Sequence, residues 1–201
     1  MRRQKQKALE ERFFVSSIKM VKKTKKLEES IQIPEGISVD ILENSIKIKG
    51  QNGELERKIN SKLIILTKKD NEIKIISKKN TRKEKRLINS LKSHIKNMMQ
   101  GVKENYVCKL KVCSSHFPMT VEFKDNELSV TNLFGEKIPR KTKLPKEIAL
   151  KLEGDIITIE GRDIELVGQA ATRIEQLTRI TNRDRRIFED GIYITEKSKK
   201  K

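Results

Sequence analysis

Residues 39–54 return, without a gap, as residues 121–136. Val39/Val121, Asn44/Asn126 and the pairs Gly53-Glu54 and Gly135-Glu136 are identical, while Ile41/Phe123, Ile46/Leu128 and Ile48/Val130 keep the apolar spacing. A segment that recurs at a fixed offset folds as two copies of one small unit. The 201 residues leave room for two such units, each of about 75 to 80 residues, a size at which a core exists but is thin.

Hydrophobic periodicity describes one unit twice. After a short strand at Ile31, Pro34 and Gly36 mark a turn. Ile37, Val39 and Ile41 then alternate with polar residues, Glu43-Asn44 reverses the chain, and Ile46 and Ile48 alternate again to Gly50. Beyond a loop through Gln51-Asn-Gly53, Leu63–Leu66 and Ile73–Ile76 predict a hairpin with Asp70-Asn71 at its turn. Ile88, Leu91, Ile95, Met98 and Val102 fall on one helical face, with Gly101 helping to end the helix and Met98 and Met99 as core filling. The second copy has strands at Val121–Phe123, Leu128–Val130, Ile148–Leu152 and Ile156–Ile159, with a turn at Gly154-Asp155. Its helix carries Val167, Ala170, Ala171, Ile174 and Leu177 on one face. The expected class is α+β: two tandem duplicated lobes, each an antiparallel-rich sheet packed on one helix. The expected division is a basic N-terminal extension at 1–30, a first lobe at 31–104, a second lobe at 105–180 and a basic C-terminal tail at 181–201.

Charge narrows the function. The net charge of +18 divides as +6, +8, +1 and +3 over those four stretches, so the first lobe and both ends are basic and the second lobe is nearly balanced. A chain this cationic suits a polyanion. Cys108 and Cys113 lack a second pair and the usual zinc spacing, and read as reduced thiols on or near a strand; His94 and His116 are too scattered to complete a metal site with them. No cofactor is expected. The sequence holds neither a dinucleotide-binding nor a P-loop glycine pattern. Ser114-Ser115 beside His116 invites a nucleophile reading, but neighbouring strand residues point to opposite faces and the sequence places no acid to orient the imidazole, so no enzyme is expected. No apolar run nears the roughly 18 residues needed to cross a bilayer, and no secretory apolar core follows the basic start. Met1–Ser30 could serve as a transit peptide, though Glu10, Glu11, Glu28 and Glu29 speak against it. Cytoplasm or nucleus is the expected compartment.

Two basic clusters are the binding candidates. Lys137, Arg140, Lys141, Lys143 and Lys146 lie in a loop and strand edge stiffened by Pro139 and Pro145, which limits the entropy lost on settling against phosphates. Arg179, Arg183, Arg185 and Arg186 follow the second helix, and arginine's flat fork suits phosphate or a base face. Phe188, Ile192 and Tyr193 either stack on bases or tether the tail to the second lobe, the tether placing Phe188 and Ile192 inside and Tyr193 at the margin. The runs Arg2–Lys7 and Lys22–Lys26 read as arms that raise affinity without choosing sequence. A free-standing RNA-binding regulator is the alternative reading of the same clusters.

From about Ile31 to Lys197 the chain resembles the universal large-subunit ribosomal protein six family, numbered nine in the eukaryotic scheme. The likeness rests on Ile31-Gln-Ile-Pro-Glu-Gly36, His94-Ile-Lys-Asn-Met-Met-Gln-Gly-Val102, His116-Phe-Pro118, Asn132-Leu-Phe-Gly-Glu-Lys137, Glu160-Gly-Arg-Asp-Ile-Glu-Leu-Val167 and Asn182-Arg-Asp-Arg-Arg-Ile-Phe-Glu-Asp-Gly-Ile-Tyr193, in that order. It implies two α+β lobes and a structural role on rRNA near the sarcin-ricin loop and stalk base, where translation GTPases dock. Neighbouring large-subunit proteins are implied as further partners. It also implies a place in cytoplasmic ribosomes, with nucleolar assembly in a eukaryote. RNA anchorage in the family's second lobe and tail carries over to Gln169 and Arg173, the Arg140 loop, Arg179–Arg186 and Tyr193. Charge alone points more to the first lobe; the resemblance is taken for location and the charge for long-range attraction. Family chains of eukaryotic type begin a few residues before the first strand, and Met20 stands where such a start would fit, which makes residues 1–19 a lineage extension or the result of a misassigned start.

Overall fold

The computed structural model describes residues 27–42, 45–59, 63–69, 71–77, 79–184 and 186–200. The basic arms, Glu43-Asn44, Asp70 and Arg185 lie outside the described residues.

The first lobe has strands β1 (Leu27–Gln32), β2 (Ser38–Ile41), β3 (Ser45–Gly50), β4 (Gly53–Lys58), β5 (Ile64–Lys69) and β6 (Glu72–Ser77), then helix α1 (Arg82–Lys103). They form two three-stranded antiparallel sheets, ordered β1-β6-β5 and β2-β3-β4. The second lobe follows with β7 (Tyr106–Cys113), β8 (Thr120–Lys124), β9 (Glu127–Thr131), a 3-10 turn at Leu133–Gly135, β10 (Arg140–Lys143), β11 (Ala149–Glu153), β12 (Ile156–Gly161), α2 (Ile164–Leu177) and β13 (Gly191–Lys200). Its sheets are β8-β9-β10 and β11-β12-β7-β13. β7, β12 and β11 repeat the order of β1, β6 and β5, so the architecture is duplicated, and β13 is added on the far side of β7.

The repeat is kept at the level of register. Val39 faces Ile48 and Ile41 faces Ile46, as Val121 faces Val130 and Phe123 faces Leu128. Ile46, Ile48, Leu128 and Val130 are at most 1% exposed, so the recurring apolar positions are those each lobe buries. The identical glycines have a backbone reason: Gly53 at φ +116° and Gly135 at φ +78° adopt conformations that cost other residues strain.

Each helix closes its lobe with the face its periodicity predicts. α1 buries Ile88, Ile95, Met98, Met99 and Val102. α2 buries Val167, Ala170, Ala171 and Ile174 and opens at Asp163, whose side chain accepts from the Glu165 N–H at 2.8 Å. Gly101 does not end α1; it lies inside the helix, which runs on to Lys103. There the Arg162 carbonyl and the Tyr106 ring crowd against it, so its small size answers close packing rather than termination.

The lobes meet along this seam. Arg162 Nη1 donates to the Asn52 carbonyl at 3.1 Å, and Tyr106 Oη donates to the Asn97 carbonyl at 3.1 Å. Glu165 Oε1 lies 2.6 Å from both Arg57 Nη1 and His94 Nδ1. Part-exposed ion pairs like these contribute about 0 to 1 kcal/mol, so backbone approach and packing hold the junction.

Three strands were not evident from apolar alternation. β4 has Leu55 as its one apolar residue and is matched to β3 instead by Lys47–Glu56 at 3.2 Å and Lys49–Glu54 at 3.8 Å. β10 is Arg-Lys-Thr-Lys and pairs through β9. β13 turns what reads as a tail into sheet: within 181–201, residues 191–200 pair with β7.

Candidate nucleic-acid interface

β10 sorts its cations by face. Arg140 and Thr142 are partly buried, while Lys141 and Lys143 are exposed on the other side. Arg140 spends its fork on protein: Nε and Nη2 donate to the Glu136 carboxylate at 2.8 and 2.6 Å, and Nη1 donates to the carbonyls of Leu177 at 3.0 Å and Arg179 at 3.3 Å. The hydrogen bond from Arg140 holds the Glu136 carboxyl below its ordinary range against the opposing effect of burial. Arg140 thereby fastens the 136–140 turn to the C-terminal end of α2 and fixes where the Arg179 loop begins. Lys141 sits 3.5 Å from Glu127, whereas Lys137 and Lys143 are exposed.

Gln169 and Arg173 are exposed one turn apart on the outer face of α2, beside Gly168 and Thr172 in a shallow groove. At the end of α2, Arg179 and Tyr193 line one concavity together with Glu175, Gln176, Thr178 and Ile180. Thr178 and Glu175 seat β13 there, accepting from the N–H groups of Ile192 at 2.9 Å and Ile194 at 3.3 Å. Ile192 is fully buried; Phe188 and Tyr193 are half-buried.

Arg183 is held between two rings, its guanidinium carbon 4.8 Å from the Phe134 centroid and 5.0 Å from that of Phe188. Phe188 in turn meets Phe134 edge-on at 5.8 Å and the His116 ring at 5.1 Å. Arg186 is exposed, and its N–H is capped by the Asp184 carboxylate at 3.0 Å. The structure thus brings Arg179 and Tyr193 together, binds Arg140 into the scaffold, sets the exposed Arg183 against two rings, and leaves Arg186 and the α2 pair on outer faces.

The His116 environment corrects one expectation, because an acid does orient this imidazole. Asp190, 2% exposed, accepts from His116 Nδ1 at 2.6 Å, from the His116 N–H at 2.9 Å and from the Ser115 N–H. The sequence conceals the pairing because His116 and Asp190 are 74 residues apart. Among the described residues no hydrogen bond joins the hydroxyl of Ser114 or Ser115 to the ring, so the group is a clasp that closes the 182–190 loop onto the 114–118 loop. Burial alone would raise the Asp190 carboxyl, but the hydrogen bonds from His116 and Ser115 outweigh it and bring it below its ordinary value.

A carboxyl lowered in the native state stabilises the fold above its unfolded pKa and loses that contribution as pH falls through the native value. Asp190→Asn should therefore cost about 1 to 3 kcal/mol at neutral pH. The difference from wild type should shrink as pH drops below about 4. Denaturant titrations over a pH series check this, and a difference constant with pH would show that ionised Asp190 does not hold the clasp.

Cys108 and Cys113 both lie on β7, on opposite faces. Burial, and secondarily Glu175, pushes the Cys108 thiol up, so it stays protonated and weakly nucleophilic at neutral pH. Among the described residues no group of three or more His, Cys, Asp or Glu side chains is placed to hold a metal ion.

The model of the family described as Ribosomal protein L6 matches this chain twice, at residues 33–105 and 117–191. Three relatives bear the name large ribosomal subunit protein uL6. The one from Sulfurisphaera tokodaii is 42% identical over 172 residues, covering 85% of this chain and 92% of its own. That from Nanoarchaeum equitans is 43% identical over 178 residues, with 85% and 93% covered. That from Methanobrevibacter smithii is 37% identical over 171 residues, with 85% and 96% covered. With one match on each lobe of a duplicated α+β fold and relatives aligned over nearly their full lengths, the chain belongs to the ribosomal protein L6 family.

Proposed function

We propose that this protein is a non-catalytic structural constituent of the large ribosomal subunit, in cytoplasmic ribosomes, with rRNA and neighbouring ribosomal proteins as its partners. Its second lobe lies against rRNA near the sarcin-ricin loop and the stalk base, within reach of docking translation GTPases. In a nucleated cell it joins the subunit in the nucleolus. One observation supports the RNA-binding surface above the others: among the described residues, Lys137, Lys143, Arg173, Arg179 and Arg186 are exposed with no carboxylate in ion-pair range. Unpaired surface cations around a rigid sheet and helix suit a folded phosphate backbone, which they neutralise with release of counterions. Lys141 and Gln169 supplement this set, and Tyr193 lies beside Arg179. Arg140 holds the loop that carries the binding cations, with less of its guanidinium left for phosphate, while Arg183 lies exposed against two rings.

Two measurements test the reading. In sucrose gradients the native protein should sediment with large subunits in equal proportion; a protein confined to the soluble fraction would favour the free-standing regulator. Replacing Lys137, Lys143, Arg173, Arg179 and Arg186 with glutamine should flatten the slope of log affinity against log salt by about 0.7 to 0.9 for each phosphate no longer neutralised. An unchanged slope removes these residues from the RNA-binding surface.

A further inference from the structure

The two lobes differ at one sheet edge. β7 has a strand on each side, β12 and β13, while its counterpart β1 is paired only with β6 among the described residues. In the second lobe β13 lies between β7 and α2, with Ile192 fully buried and two of its N–H groups taken by Thr178 and Glu175. The corresponding place between β1 and α1 is an open groove of about 550 Å³. Ile31, Pro34 and Met99 give it an apolar lining, and Lys92, Lys96 and Lys103 are its cations. The helices start at equivalent positions of the repeat, Arg82 and Ile164, and the same offset carries the acceptor Thr178 onto Lys96. The first lobe keeps the seat of a fourth strand but puts an ammonium where the second lobe offers a hydroxyl.

We infer that the edge of β1 receives an extended acidic segment of another polypeptide, which adds as a fourth strand with its carboxylates facing Lys96 and Lys103. An open strand edge presents N–H and C=O groups that a peptide backbone satisfies together, with side-chain contacts setting specificity. A nucleic-acid backbone supplies acceptors without the matching donors that an open strand edge needs, whereas Glu104 in the lining opposes phosphates and carboxylates alike and does not choose between them. The chain's own residues 1–26 suit the groove poorly, because they carry ten cationic and two anionic side chains against its three lysines. Lys92 is already paired with Glu29 at 2.6 Å, which leaves Lys96 and Lys103 as the recognition cations. The inference does not depend on where the second lobe sits on rRNA.

Amide hydrogen exchange of Leu27–Gln32 in the full chain is the test, with a short synthetic peptide alternating valine and glutamate as probe. This peptide should slow exchange in β1, and Lys96→Glu combined with Lys103→Glu should weaken its binding by about tenfold or more. Unchanged exchange in the rest of α1 verifies that the variant is folded; Lys96→Gln with Lys103→Gln replaces it otherwise and should show a smaller loss. In assembled large subunits β1 should exchange more slowly than in the free protein. Equal protection by a valine–lysine peptide, or displacement of the acidic peptide by single-stranded RNA, overturns the inference. So does equal exchange in subunit and free chain, or protection in the free chain that disappears when residues 1–26 are deleted.

Discussion

Gly101→Ala should destabilise the protein by about 3 kcal/mol, at the upper end of overpacking costs, although alanine in a helix interior ordinarily gains about 1 kcal/mol over glycine. The reversal follows from the seam between the lobes. A Cβ at Gly101 would stand 1.9 Å from the Arg162 carbonyl oxygen and 3.0 Å from Tyr106 Cε2. A carbonyl oxygen cannot rotate aside as a flexible side chain does, so the methyl must part α1 from Arg162 or bend the helix. Parting them also strains the bonds from Arg162 to Asn52 and from Tyr106 to Asn97. Gly168 is the internal control. It too is helical, but a Cβ there meets nothing within 4 Å, so Gly168→Ala should stabilise by about 0.5 to 1 kcal/mol. Urea unfolding of both variants gives the comparison, and a Gly101→Ala protein that separates its lobes should show two transitions. Equal gains at both sites would mean that the lobes do not press together at Gly101.

The parts of the fold legible in the sequence are those where burial alternates with exposure. β2, β3, β8 and β9 bury one face, and because the duplication preserves which residues oppose each other, each copy supports the reading of the other. β4 and β10 resist the same reading because their stability comes from neighbours distant in sequence: Glu54 and Glu56 find Lys49 and Lys47 only once β3 is beside them. The candidate interface divides in the same way. Charge density located the Lys137–Lys143 and Arg179–Arg186 stretches, but nothing in a run of cations distinguishes a side chain facing solvent from one spent on the fold. Arg140 caps the end of α2 and the exposed Arg183 lies against a pair of touching rings, both through partners more than 30 residues away or across a loop. His116 and Asp190 make the same point for polar clasps: in the sequence each alone is an ordinary polar residue, and their pairing needs β13 laid against β7.

Ile192→Ala should cost about 3 kcal/mol, within the 2 to 5 kcal/mol typical of a fully buried isoleucine cut to alanine, and Ile192→Val about 1. Ile192 is 0% exposed, faces Val112 across the ladder, and is bound through its N–H to Thr178. It is the apolar anchor of a strand whose later residues are mostly polar, so the remaining ladder cannot replace it. The loss has a second consequence, because the 182–190 loop is fixed at one end by Arg183 between its rings and at the other by Asp190 and the start of β13. Loosening β13 frees Arg186 and the Arg179–Tyr193 concavity without removing a charge. Under conditions where the variant remains folded, affinity for large-subunit rRNA should therefore fall while the net charge stays the same, which separates placement of the cations from their number. A stability loss below about 1 kcal/mol would show that truncation leaves no cavity, and hence that β13 does not depend on Ile192 for its seat. Stability lost with rRNA affinity unchanged would show that the position of β13 does not matter for binding.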